Sequence, residues 1–215
     1  MESRIIKPFG PPVYFSKLTQ EELDLFKLLA DQTKKENNSM ANKLAGNIDS
    51  QLELFIASKE QHNQFIEIIS PHINECIFGF DERKTFFQSP SSNLLKFNLG
   101  NGPWINFQRQ YEFNPIHSHS GLISVVIYID VPEEIEKERL DQKNTNKPAA
   151  GNIDFIYGEN HHFITGLNSI TPTTGDIIMF PAYLKHQVYP FKSAVERISM
   201  AFNIYDISID DETAQ

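Results

Sequence analysis

The hydrophobic period of this chain changes at about Leu94, and that change limits the fold more than any other feature. Beyond it, apolar and polar residues alternate in five runs: Trp104–Gln108, Gly121–Asp130, Asn152–Tyr157, Gly175–Phe180 and Arg197–Tyr205. A period of two puts successive side chains on opposite faces of an extended segment, so each run predicts a strand. Turn residues separate the runs and few helical stretches intervene, which favours an antiparallel sandwich or barrel. The exception is 132–150 (PEEIEKERLDQKNTNKPAA), charged throughout, which predicts a short helix followed by a mobile loop able to close over a substrate.

The first hundred residues read differently. Pro8, Pro11 and Pro12 impose an extended entry, and Val13-Tyr14-Phe15 predicts a short strand. Thr19 with Glu22 three residues on is a capping box, and Leu25, Leu28 and Leu29 follow at helical spacing. A second helix is expected over Lys59–Ile69, kinked or restarted by Pro71 and running on to Phe80. Residues 42–51 read as loop. The expected organisation is one domain over 1–215, with a mixed, largely helical support at 1–93 and a β core at 94–207. The helices carry no cluster of reactive groups, so their expected task is to back a sheet.

Composition narrows the function. With 28 acidic against 19 basic residues the net charge is -9, which argues against nucleic-acid binding through general electrostatics. A single cysteine, Cys76, excludes an internal disulfide and fits a reducing compartment. The first residues carry charges and prolines where a signal peptide needs an apolar run, and the longest apolar run, 121–129, is too short to span a bilayer. The expectation is a cytoplasmic protein with no membrane partner.

The chemistry concentrates in three places. His117 and His119 are two apart, so on an extended segment both imidazoles point the same way and can reach one ion. His186 stands alone 67 residues later, after the strand and turn Gly175–Leu184, and can close a facial three-ligand set that leaves positions open for substrate or dioxygen. Arg197 follows 11 residues after His186. If Ile198, Met200 and Phe202 face the core, then Arg197, Ser199, Ala201 and Asn203 share the other face, which suits capture of a carboxylate. Trp104, Asn106 and Gln108 also share a face, with the two amides available to a pocket. Other residues carry less. His161 and His162 are adjacent and read as solvated loop residues, His62 and His72 as helix residues, Phe180 and Tyr183 as core.

Taken together, these motifs resemble the double-stranded β-helix oxygenases that use Fe(II) and 2-oxoglutarate, and more narrowly the 2OG-Fe(II) oxygenase family of marine bacteria and their phages. The residues that carry the resemblance are Trp104-Ile105-Asn106, Asn114–His119, Ser124–Tyr128, Val131-Pro132 and Gly151–Phe155. Gly175–Pro181, His186-Gln187-Val188 and Arg197–Asn203 complete it, so it covers about residues 100–205. It implies a mainly β fold with flanking helices (α+β) around a jelly-roll, cupin-like core. It also implies Fe(II) and the cosubstrates 2-oxoglutarate and dioxygen, with His117, His119 and His186 as the catalytic metal site. Arg197 and Ser199 would hold the distal carboxylate of 2-oxoglutarate, and Asn106, Tyr128 and Asn203 would complete that pocket.

One position departs from the superfamily pattern. His119 stands where a carboxylate is usual, so either three histidines hold the metal or a carboxylate comes from elsewhere, with Asp154 and Glu112 the nearest candidates. The implied reaction is hydroxylation of an unidentified substrate, with a protein side chain such as prolyl favoured by analogy; the oligomeric state stays open, a homodimer being one option. Two other readings stay open: a three-histidine cupin-type dioxygenase without 2-oxoglutarate, and a non-catalytic β-helix binding module.

Overall fold

A computed structural model describes residues 3–6, 10–80, 95–100, 102–162 and 165–209. Pro8 and the expected boundary at residues 93–94 lie outside them. The chain runs β1 (Arg4–Ile6), β2 (Val13–Lys17), α1 (Gln20–Glu36), β3 (Gln51–Glu53), α2 (Lys59–Phe80), β4 (Leu95–Asn98), β5 (Trp104–Gln108), β6 (Asn114–His117) and β7 (Ile123–Asp130). It continues with α3 (Glu133–Asp141), β8 (Ile153–Ile156), β9 (Leu167–Ile170), β10 (Asp176–Pro181), β11 (Lys185–Val188), β12 (Arg197–Ile204) and β13 (Asp206–Ile209). All five alternating runs of the sequence are strands.

The strands form a major sheet ordered β1-β2-β10-β7-β12-β5-β3, a minor sheet ordered β6-β11-β8-β9, and a small β13-β4 pair. All pairings are antiparallel. Alternation sorts the major sheet's side chains into two layers. Tyr14, Ile105, Phe107, Val125, Ile127, Ile177, Met179, Met200 and Phe202 face α1 and α2, where Phe26, Leu29, Phe65, Ile69 and Ile73 meet them. Val13, Tyr128, Ile178 and Phe180 face the minor sheet and pack on Ile153, Phe155 and Val188. Helices, major sheet and minor sheet thus form three layers, with two facing antiparallel sheets as a double-stranded β-helix.

The capping box starts α1: Thr19 Oγ1 accepts the Glu22 N–H at 3.3 Å, and the Glu22 carboxylate accepts the Thr19 N–H at 2.7 Å. α2 differs from expectation in being one helix through Pro71. Phe65, Ile69, Ile73 and Ile77 recur every four residues on its buried face, and that packing outweighs one missing backbone bond. The 42–51 stretch is not plain loop: it holds a 3-10 turn at Ala41–Lys43, and Gln51 opens a strand on β5. No helix among the described residues is long and apolar enough to cross a membrane.

Candidate active site

β6 and β11 are neighbours in the minor sheet, and their register sets His117 directly opposite His186. His119 lies just past the end of β6, where its backbone N–H donates to the Ala182 carbonyl at 2.8 Å. One ligand nitrogen from each of the three imidazoles lies within 4.8 Å of the others, with ring centroids 4.2, 4.9 and 5.1 Å apart. Nδ1 of His117 is 2.7 Å from the Pro115 carbonyl and Nδ1 of His186 is 3.0 Å from that of Leu184. A carbonyl only accepts, so each Nδ1 carries the proton and donates, leaving Nε2 with a free lone pair. Burial drives all three pKa values down, to about 4 for His119, about 3 for His186, and below the ordinary value for His117. The imidazoles are neutral at pH 7, the state a metal needs.

No carboxylate joins this cluster among the described residues. Asp154 pairs in register with Gln187 on β8, where its neighbour Phe155 takes the inward place beside His186, with ring centroids 6.1 Å apart. Glu112 caps a turn, accepting the N–H of Asp49 at 3.0 Å and of Arg109 at 2.6 Å. Both alternatives are committed elsewhere, and three imidazoles remain.

The inner cavity runs from the histidines to Arg197, with a volume of about 60 Å³ and Asn106, Gln108, Tyr128 and Ser199 among its walls. That is room for several water-sized groups, enough for a slender small acid. Arg197 is 3% exposed. Its Nη1–H donates to the Gly151 carbonyl at 2.5 Å, its Nη2–H donates to Gln108 Oε1, and its Nε is buried without a partner. The Tyr128 and Phe191 rings lie 5.5 and 6.0 Å away. No acidic side chain pairs with it among the described residues, and burial lowers its pKa. A guanidinium held out of water beside a cavity, without a counter-charge and with an N–H to spare, is built to meet an anion. Burial also pushes the Tyr128 hydroxyl up to about 12, so it stays protonated.

The expected cosubstrate residues divide between two spaces. Asn106, Tyr128, Arg197 and Ser199 line the inner cavity. Asn203 shares the strand face of Arg197 but opens onto an outer pocket of about 260 Å³, which meets the inner cavity at His117 and His119 and is also lined by Lys43, Leu99 and Tyr205. Its Oδ1 accepts from Ser124 Oγ at 2.9 Å. Tyr183, expected in the core, is 62% exposed in the turn beside His119.

Sequence reasoning missed the roof. Leu44, Ala45 and Gly46 line the inner cavity, and Leu44 and Ala45 line the outer pocket too. Gln51, from the same region, donates through Nε2 to Asn106 Oδ1 at 2.9 Å. Gly46 alone carried a signal, as a glycine required where backbone presses on side chains. A Cβ there would lie 2.2 Å from Asn114 Oδ1 and 2.8 Å from Gln51 Nε2. The 132–150 segment, expected as the lid, packs instead behind Arg197, where Ile135 and Ala150 cluster with Phe191.

Residues 102–203, which hold all three histidines and Arg197, match the family model described as "Putative 2OG-Fe(II) oxygenase". Over this segment the chain is similar to the 2OG-Fe(II) oxygenase family. The oxygenase fold extends to the rest of the chain. A Pseudomonas putida prolyl-4-hydroxylase superimposes with TM-score 0.57 at 11% identity, over 90% of this chain and 92% of that one. A Trichoplax adhaerens prolyl hydroxylase, solved with a hypoxia inducible factor peptide fragment, gives 0.52 at 12% identity over 95% and 83%. HygX from Streptomyces hygroscopicus, solved with nickel, 2-oxoglutarate and hygromycin B, gives 0.52 at 10% identity over 93% and 94%. At these identities the likeness speaks for the fold. No curated protein sequence matches the chain.

Fe(II) and 2-oxoglutarate are the cofactor and cosubstrate that the matched family implies, and the residues present fit both. Three neutral imidazoles suit a borderline divalent ion, and the orphaned Arg197 Nε suits a carboxylate.

Proposed function

We propose that the chain is a hydroxylase in which His117, His119 and His186 hold Fe(II) and Arg197, with Ser199, holds the distal carboxylate of 2-oxoglutarate. The observation that carries this reading is the buried, uncompensated Arg197 guanidinium in the same cavity as the three imidazoles. When bound, the metal supplies the activation of dioxygen, driven by oxidation of the keto acid to succinate and carbon dioxide. The protein aligns the cosubstrate between Arg197 and the histidines and excludes water with Phe180 and Val188 on the cavity wall. Tyr128 Oη and the Asn106 amide line the path between these ends.

The substrate enters by the outer pocket, and Leu122 and Tyr183 are exposed next to Ala182, whose carbonyl accepts the His119 N–H. An exposed apolar rim around an open pocket favours a polypeptide side chain, prolyl or another, over a small metabolite. The test is calorimetric titration of 2-oxoglutarate into anaerobic Mn(II)-loaded protein, beside succinate release from the iron form with a peptide library. Binding that requires both the metal and Arg197 is expected.

The absence of a carboxylate from the metal cluster favours one second reading, a three-histidine dioxygenase that takes its substrate's own carboxylate on Arg197. Iron-loaded protein that consumes dioxygen without converting 2-oxoglutarate to succinate would establish that reading and overturn the first.

A further inference from the structure

Asp154, which the fold turns away from the histidines, marks a second site. Phe155 faces the inner layer, so its neighbour on β8 points to the opposite face of the minor sheet. There Asp154 is 2% exposed, its Oδ1 has no hydrogen-bond partner, and the carboxylate is met by Gln187 Nε2 at 3.4 Å from Oδ2 and by the Tyr189 hydroxyl. It lines a recess of about 650 Å³ together with Asn152, Ser169 and Tyr189, and with Lys147 and His161. The polar wall is preformed: Asn152 Nδ2–H donates to Ser169 Oγ at 3.0 Å, and Asn152 Oδ1 accepts from Thr171 at 3.0 Å. Lys147 and His161 are exposed, and His161 lies 3.6 Å from Glu159, so neither neutralises the buried carboxylate.

A buried carboxylate with one unpartnered oxygen, hydrogen-bonded by the neutral side chains of Gln187 and Tyr189 at the wall of a polar recess, suits a cation. Asp154 is the one carboxylate among the residues lining the recess, too few oxygens for Ca²⁺ or Mg²⁺. Tyr189 lines the same recess beside Asp154, and an aromatic ring is the usual companion of a carboxylate in recognising organic cations. We propose that this recess binds a small organic cation, a primary ammonium or guanidinium, with Asp154 as its counter-charge and Tyr189 as its platform. The amides and hydroxyls of Asn152 and Ser169 would select ligands that carry further hydrogen-bonding groups. The site lies across the minor sheet from the metal cluster and does not depend on the proposed reaction.

The test is titration of the full chain with agmatine and n-butylammonium, followed by calorimetry and by amide shifts in ¹⁵N-labelled protein. Saturable binding is expected, with shifts at residues 152–154, 169 and 187–189. Asp154→Asn should weaken it by about tenfold or more, and Tyr189→Leu severalfold, while 2-oxoglutarate binding to the Mn(II) form stays unchanged in both. No saturable signal below about 10 mM, or equal affinity in Asp154→Asn, would overturn the proposal. If Asp154→Asn does not fold, the wild-type shifts decide: their appearance around the catalytic histidines instead of the recess also overturns it.

Discussion

Arg197 holds its charge in a setting with two neutral acceptors and no anion among the described residues, so N–H groups are left over for a ligand in the cavity it lines. Under the proposed function, Arg197→Met raises the Kd for 2-oxoglutarate by roughly 10- to 100-fold, the equivalent of a lost charge-assisted bond of about 1.5–3 kcal/mol. Mn(II) binding by the histidines survives the change, and anaerobic calorimetry reads both quantities. Arg197→Lys recovers little, because a point charge lacks the planar fork that binds Gly151, Gln108 and a carboxylate together. The histidines give a second expectation. Their folded pKa values lie below the ordinary 6.5 of the unfolded chain, so the unfolded state takes up protons first as pH falls. Stability of the metal-free protein is therefore complete above about pH 6.5 and lost progressively toward pH 4. Urea midpoints across that range should fall less steeply in His186→Gln; an equal slope would rule out the buried imidazoles as its source.

At the scale of elements, β12 was legible from its residues alone. Apolar Ile198, Met200 and Phe202 alternate with polar Arg197, Ser199 and Asn203, and the structure puts the first set under the helices and the second toward the cavities. The pairing of His117 with His186 could be guessed only as a spacing, because strand register is a non-local property. The roof at 44–46 was not legible. Leu44-Ala45-Gly46 has no period and no reactive group, and its place over the cavity is set by β3 pairing with β5 far along the chain. Charge and length made 132–150 look like a lid, but Ile135, one apolar residue among acids, anchors it behind Arg197. Gly46→Ala tests the roof. The added Cβ cannot coexist with Asn114 and Gln51 as placed, so the loop must lift, at a cost of about 1–3 kcal/mol in denaturant unfolding. A weaker affinity for 2-oxoglutarate with unchanged Mn(II) affinity is expected to accompany it.

Across the whole molecule, the major sheet is buried on both faces, by helices on one side and the minor sheet on the other. Ligands that join the two sheets therefore stabilise the entire fold. Saturation of the Mn(II)-loaded protein with 2-oxoglutarate at about 100 times Kd contributes roughly 2.7 kcal/mol, which raises Tm by about 5–10 °C for a chain of this size. Calorimetry should show that rise in the wild type and lose most of it in His186→Ala. The outer pocket carries a different consequence. Met40, Lys43, Leu44, Ala45 and Tyr205 line it from outside the stretch that matches the oxygenase family, while the histidines and Arg197 lie within it.

 Leu99 belongs with that outer group. Part of the outer pocket's wall thus comes from outside the matched stretch. Under the proposed function, descendants of one ancestor could exchange Met40, Lys43 and Leu99, which line the outer pocket and not the inner cavity, and acquire new targets with the histidines and Arg197 passed on untouched.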